Sequence, residues 1–122
     1  MEINFDAADF EPIRRIALQF PGAEDSVSHY DTPSIKVRGK FMCRLHDCGE
    51  FIPIRLDFPI RNAYLESHPE IFHLPDHFRN YPYLCMWVHD YDMRFLHEVL
   101  VTSWRGLASK KQIMEWEKAN NP

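Results

Sequence analysis

No stretch of the 122 residues approaches the length of an apolar membrane span, which predicts neither a spanning helix nor a membrane partner. Glycine is scarce. Only four occur, and none sits in a loop patterned to cradle phosphates. Cysteine is limited to three, an odd number that suits free thiols in a reducing, cytoplasmic setting better than a disulfide framework. Positive charge is also in short supply: 14 Lys and Arg stand against 18 Asp and Glu, for a net charge of −4. A nucleic-acid binder that uses its whole surface is thereby excluded, and any such site must be a local patch. Acids and Asn interrupt the first ten residues, so no secretory signal is expected. Repeats, low-complexity tracts and long linkers are missing too, which predicts a single domain over residues 1–122.

What is present is a globular composition, 45% hydrophobic and 14% aromatic. A chain of this size hides roughly two-thirds of its unfolded surface on folding. Phe10, Ile13, Ile16/Ala17 and Phe20 form a helical stripe, with Asp9 as its expected cap, Pro12 in the first turn and Pro21-Gly22 as its end. A short strand is expected around Val27–Tyr30. Along residues 34–45 every odd position except Gly39 is apolar, and Lys36, Arg38, Lys40 and Arg44 occupy even ones. Period two over this length predicts strands with a buried face and a basic face. Keeping Val37 opposite Phe41 requires an odd loop such as Arg38-Gly39-Lys40. A second hairpin, with Asp47 paired to Glu50 around Cys48-Gly49, sets Leu45 opposite Ile52, Cys43 opposite Ile54 and Phe41 opposite Leu56, all six on one buried face. Pro53 then suits an edge strand or an interruption in the next pairing.

A helix is expected over residues 59–67, ended by His68-Pro69, and a buried strand over residues 83–89. Asp90 or Asp92 should cap a long helix with Met93, Leu96, Leu100, Trp104 and Leu107 as its stripe. Ser109 and Gln112 make a capping box for a last helix carrying Ile113 and Trp116. Residues 69–82, rich in His, Pro and aromatics, fit no single class. The order predicts an α+β domain of two layers, a mainly antiparallel sheet with helices packed on one face.

Two constellations stand out as binding sites. Lys36, Arg38, Lys40, Arg44 and Arg55 would gather on one sheet face, the kind of clustered donors that phosphates need. The alternative is a binding or enzymatic domain with a pocket lined by His73, His77, Tyr81 and Trp87, and a small molecule or a protein as its partner. Metal is not expected. Cys43 should point into the core and His46 away from it, Cys48, Cys85 and His89 do not complete a zinc knuckle, and prolines break up His68, His73, Asp76 and His77. Catalysis is the weaker expectation, and no cofactor is expected: Ser26, Ser28 and His29 follow no nucleophile-elbow pattern, and Asp90 and Asp92 are explained by capping.

Pro21-Gly22-Ala23-Glu24, then Thr32 through Lys40 (TPSIKVRGK), resembles the start of MmcQ/YjbR-like proteins. Ile54-Arg55-Leu56-Asp57, His68-Pro69-Glu70-Ile71-Phe72, the run Asp76 through Pro82 (DHFRNYP) and Ser103-Trp104-Arg105 before Ser109-Lys110-Lys111 extend the likeness over residues 10 to 112. The resemblance implies a CyaY-like two-layer fold in a "double wing" arrangement proposed to bind DNA. It implies no catalytic residues.

Overall fold

Six antiparallel strands form one sheet in the computed structural model, which describes residues 3–89 and 92–120. They are β1 (Ala23–Val27), β2 (Pro33–Val37), β3 (Lys40–Arg44), β4 (Phe51–Arg55), β5 (Phe72–His73) and β6 (Tyr83–Trp87), in the order β1-β2-β3-β4-β6-β5. Helices α1 (Glu11–Ala17), α2 (Phe58–Ser67), α3 (Met93–Arg105) and α4 (Lys110–Asn120) contribute to a single core with the strands. The architecture is the expected α+β one. Among the described residues no helix is long and apolar enough to cross a membrane.

Helical periodicity accounts for the inner layer. Phe10, Ile13, Ala17 and Phe20 are buried, as are Leu96, Val99, Leu100 and Trp104 of α3. The α1 cap differs from expectation: Asp6, rather than Asp9, accepts from the Ala8 N–H at 3.0 Å, because a turn of 3₁₀-helix (Ala7–Phe10) precedes α1. Asp92 caps α3 by accepting from the Arg94 N–H at 2.7 Å, whereas Asp90 lies outside the described residues. Met93, expected in the α3 stripe, is 55% exposed because the helix begins there, before the stripe meets the sheet. The Ser109–Gln112 capping box forms reciprocally, at 2.9 and 3.1 Å.

The sheet register is half as expected. Cys43 pairs with Ile54, which is the expected β3–β4 alignment. The β2–β3 hairpin is different. Arg38 and Gly39 form a two-residue turn with φ of 55° and 75°, so Val37 pairs with Lys40 and not with Phe41. That turn alone would reverse the faces of β3. A bulge corrects it: Lys36 pairs with Phe41 but Ile35 pairs with Cys43, leaving Met42 as the extra residue. Met42 and Cys43 are both buried, while Phe41 leaves the core face and joins Lys36 and Arg44 on the opposite side. The sequence expectation for Phe41 is therefore overturned, because strict alternation does not register a bulge. Pro53 is not on an edge strand. It lies opposite Cys85 between β3 and β6, with pairing continuous from Phe51↔Trp87 to Arg55↔Tyr83, so its missing N–H removes one donor from an interior ladder. The short strand expected near Val27–Tyr30 is β1, displaced towards the N-terminus, and His29–Asp31 form a 3₁₀ turn instead.

Candidate functional site on the outer sheet face

Alternation along β4 and β6 sends Ile52, Ile54, Leu84 and Met86 to the helices and Phe51, Pro53, Tyr83 and Trp87 to the other face. On that outer face, β5 and the 3₁₀ turn Asp76–Phe78 add His73, His77 and Phe78. His73 stacks on Trp87 with ring centroids 3.7 Å apart and planes within 7°. Phe51 meets His73 edge-on at 4.9 Å and carries His46 stacked at 4.4 Å. His77 lies 6.1 Å from His46, and Phe78 and Phe41 both meet Tyr83 edge-on. The outer face is thus an aromatic and histidine layer, with geometries that favour ring quadrupoles.

Charge is buried inside this layer. Arg44 is 8% exposed and Asp47 3%. An Arg44 Nη2 lies 3.5 Å from Asp47 Oδ1, and Nη1 donates to Thr32 Oγ1 at 3.3 Å and to the Leu45 carbonyl at 3.4 Å. His46 completes the group. Its Nδ1 accepts from the Cys48 N–H at 3.2 Å, which leaves the ring proton on Nε2, 3.4 Å from Asp47 Oδ1. Burial pushes the His46 pKa below its ordinary value. Asp47 opposes that shift, while Arg44 and His77 add to it. Burial also lowers His73, against a weaker pull from Glu50. The His46–Gly49 loop is locked from behind: the Asn4 N–H donates to the Asp47 carbonyl at 2.8 Å, and a Cβ at Gly49 would strike the Asn4 carbonyl.

Beside Arg44 the outer face opens into a cleft of about 320 Å³. Its walls are Phe41, Pro53, Phe78 and Tyr83, with Lys36 and Arg44 on one side and Val27, Ser28 and His29 on the rim. The rim is strained. Tyr30 and Asp31 are consecutive non-glycine residues at φ of 58° and 61°, a conformation costing roughly 1–2 kcal/mol per residue. Thr32 holds it in place, donating through Oγ1 to the His29 carbonyl at 2.9 Å while accepting from Arg44. Strain of this kind concentrates at functional sites. Buried atoms without a hydrogen-bond partner point to the same face: three of the four among the described residues, Ser34 Oγ, Asp47 Oδ2 and His73 Nδ1, belong to it.

The residues expected to form a basic face separate. Lys36 and Arg44 border the cleft, but Arg44 is buried against Asp47 and is no solvated donor. Arg38 and Lys40 are exposed at the hairpin tip, where Arg38 reaches the Leu107 carbonyl at 3.4 Å. Arg55 pairs with Asp57 at 3.0 Å and lines a different depression, near the end of α3. Of the other expected group, His73, His77 and Trp87 do share the outer layer, whereas Tyr81 is 56% exposed, its carbonyl holding Arg61 at 2.8 Å. Sequence reasoning missed Phe41, Asp47, Phe78 and Pro53 as site residues. The bulge hid Phe41, and the acid that neutralises Arg44 read as part of a turn. Cys43 and Cys85 are buried thiols with pKa values pushed far up by burial. Among the described residues no three His, Cys, Asp or Glu are grouped to hold a metal ion. Ser28 Oγ lies 3.5 Å from His29 Nδ1 on the cleft rim.

No family model matches the chain, and neither the curated proteins nor the solved structures yield a significant match.

Proposed function

We propose that the protein is a binding module that takes a small anionic ligand in the outer-face cleft, acting by binding and not by catalysis. Lys36 carries this reading. It borders a cleft whose other walls are largely aromatic, and it makes no ion pair among the described residues, while Arg44 beside it is neutralised by Asp47. A concave site with apolar walls and a few convergent polar groups is the common form of a small-ligand pocket. The two buried thiols suit a reducing, cytoplasmic setting for this role. The test is titration of sodium acetate into ¹⁵N-labelled protein at constant ionic strength. Shifts should centre on Lys36, Phe41 and Tyr83 and vanish in Lys36→Met. Shifts that survive in Lys36→Met would overturn the reading.

The DNA binding implied by the resemblance to MmcQ/YjbR-like proteins is a second proposal, favoured by one observation: Arg38 and Lys40 are exposed together at the β2–β3 tip, next to Lys36. Such binding would be weak and non-specific, because Arg44 and Arg55 are already paired with acids. Duplex DNA titrated at two salt concentrations should bind wild type more tightly than Lys36→Ala/Arg38→Ala/Lys40→Ala, with affinity falling as salt rises. Equal affinity for both proteins removes this reading.

A further inference from the structure

The geometry points to a ligand class for the cleft: a small aromatic monocarboxylate, its ring held among Phe41, Pro53, Phe78 and Tyr83 and its carboxylate on Lys36. The inference rests on the reading of the cleft as an anion site and deepens it. Three observations carry it.

Size is the first. A volume of about 320 Å³ lies at the small end of the range for ligand pockets, enough for one ring system with a short substituent. The second is the orientation of the walls. Phe41 and Phe78 both meet Tyr83 edge-on, with interplanar angles of 84° and 89°, so the cleft offers ring faces and ring edges together. An inserted ring finds offset-stacked and edge-to-face partners there, and aliphatic ligands forgo these contacts. Pro53 is buried and lies on the same wall, adding an apolar surface with no donor of its own.

Charge is the third. Arg44 and Asp47 cancel at 3.5 Å, so among the described residues the cleft lining offers one cation that makes no ion pair, Lys36, whose cross-strand neighbour Glu24 stays outside the lining. A single negative charge is satisfied there. A second would have to lose its water without gaining a partner, which is costly in an aromatic surrounding. The Arg44 guanidinium instead supports the rim, where it fixes the strained His29–Asp31 turn through Thr32 Oγ1. The rim is therefore set before ligand arrives, and little ordering cost falls on binding.

Four probes distinguish this inference from the broader reading: benzoate, acetate, benzyl alcohol and phenyl phosphate, each titrated into ¹⁵N-labelled protein at pH 7.5. Benzoate is expected to bind roughly tenfold or more tightly than acetate, from the apolar area of the ring. It should also exceed benzyl alcohol, which lacks the charge, and phenyl phosphate, which carries too much. Lys36→Met should lower benzoate affinity about tenfold and leave benzyl alcohol unchanged. Phe41→Ala should reduce benzoate towards acetate, and because Phe41 is only half-buried that variant should fold. If acetate and benzoate bind equally, or phenyl phosphate binds more tightly, the aromatic monocarboxylate assignment falls while the anion site stands. If none of the charged probes shifts the cleft residues, both fall.

Discussion

The two faces of this sheet use the same strands to opposite ends. The inner face is aliphatic and closed: Ile35, Leu45, Ile52, Ile54, Leu84 and Met86 are fully buried against Ile13, Leu96, Leu100 and Trp104. The outer face is covered by rings stacked on one another, and it holds an ion pair, the three histidines His46, His73 and His77, and an open cleft. Non-directional burial holds the inner layer together, so what matters there is volume. The outer layer depends on directional contacts, so what matters is which atom meets which. Stability should therefore reside mainly on one side of the sheet and function on the other.

Paired truncations of the same residue type give the largest effect and the most direct check. Phe20→Ala removes a ring that is 2% exposed and packed against Trp104 and Trp116, and it should cost about 3–5 kcal/mol. Phe78→Ala removes a half-buried ring from the outer layer and should cost about 1 kcal/mol, because much of its area already faces water. Urea denaturation of both variants reads the difference. Equal losses would mean that the outer layer is as much core as the inner one.

The contrast also explains what could be read from sequence. Inner-face residues carry a periodic signal from which the α1 and α3 stripes and the Cys43–Ile54 register follow, and the capping box of α4 is legible as a local motif. The outer site has no period. It depends on the Met42 bulge that turns Phe41 outward, on a two-residue segment, Phe72–His73, too short to be read as a strand, and on Arg61. Arg61 is a cation of α2 that is buried, donating to the Arg79 and Tyr81 carbonyls at 3.0 and 2.8 Å. It anchors the segment that follows His77 and Phe78. A long-range side-chain-to-backbone contact of this kind leaves no trace in local spacing.

Next in size is the buried pair. Asp47→Ala would leave the Arg44 guanidinium without its counter-charge and should cost about 3 kcal/mol. Arg44→Met/Asp47→Leu replaces both charges with apolar groups and should recover most of that loss, since desolvation then falls on neither residue. The double variant should nevertheless loosen the rim, because Thr32 loses its donor, and benzoate should bind it more weakly than wild type. Thermal melts read the first effect and the probe titration the second. If the double variant is as unstable as the single one, the outer-face charges contribute to the fold itself, and the division between the faces fails.

The smallest effect expected is a dependence on pH that comes from the outer face. Among the described residues no histidine is buried in the inner core, whereas His46 and His73 lie in the outer layer with pKa values lowered chiefly by burial. For His46 the facing groups are Asp47, which resists the shift, and Arg44 and His77, which reinforce it; for His73 it is Glu50, which resists. In the unfolded chain both rings titrate near 6.5. Below that pH the unfolded state binds more protons than the folded one, so stability rises with pH across this window. The contribution is complete above about pH 6.5 and is lost as the pH falls through the lowered folded values. Urea midpoints for wild type and His46→Gln/His73→Gln, measured from pH 7.5 to 5, isolate it, because every carboxylate and the other five histidines are common to both proteins. Wild type should lose more stability than the variant over that range, the gap opening below about pH 6.5. Parallel curves would show that the outer rings titrate as if in water, and that the layer is more open than its stacking geometry implies.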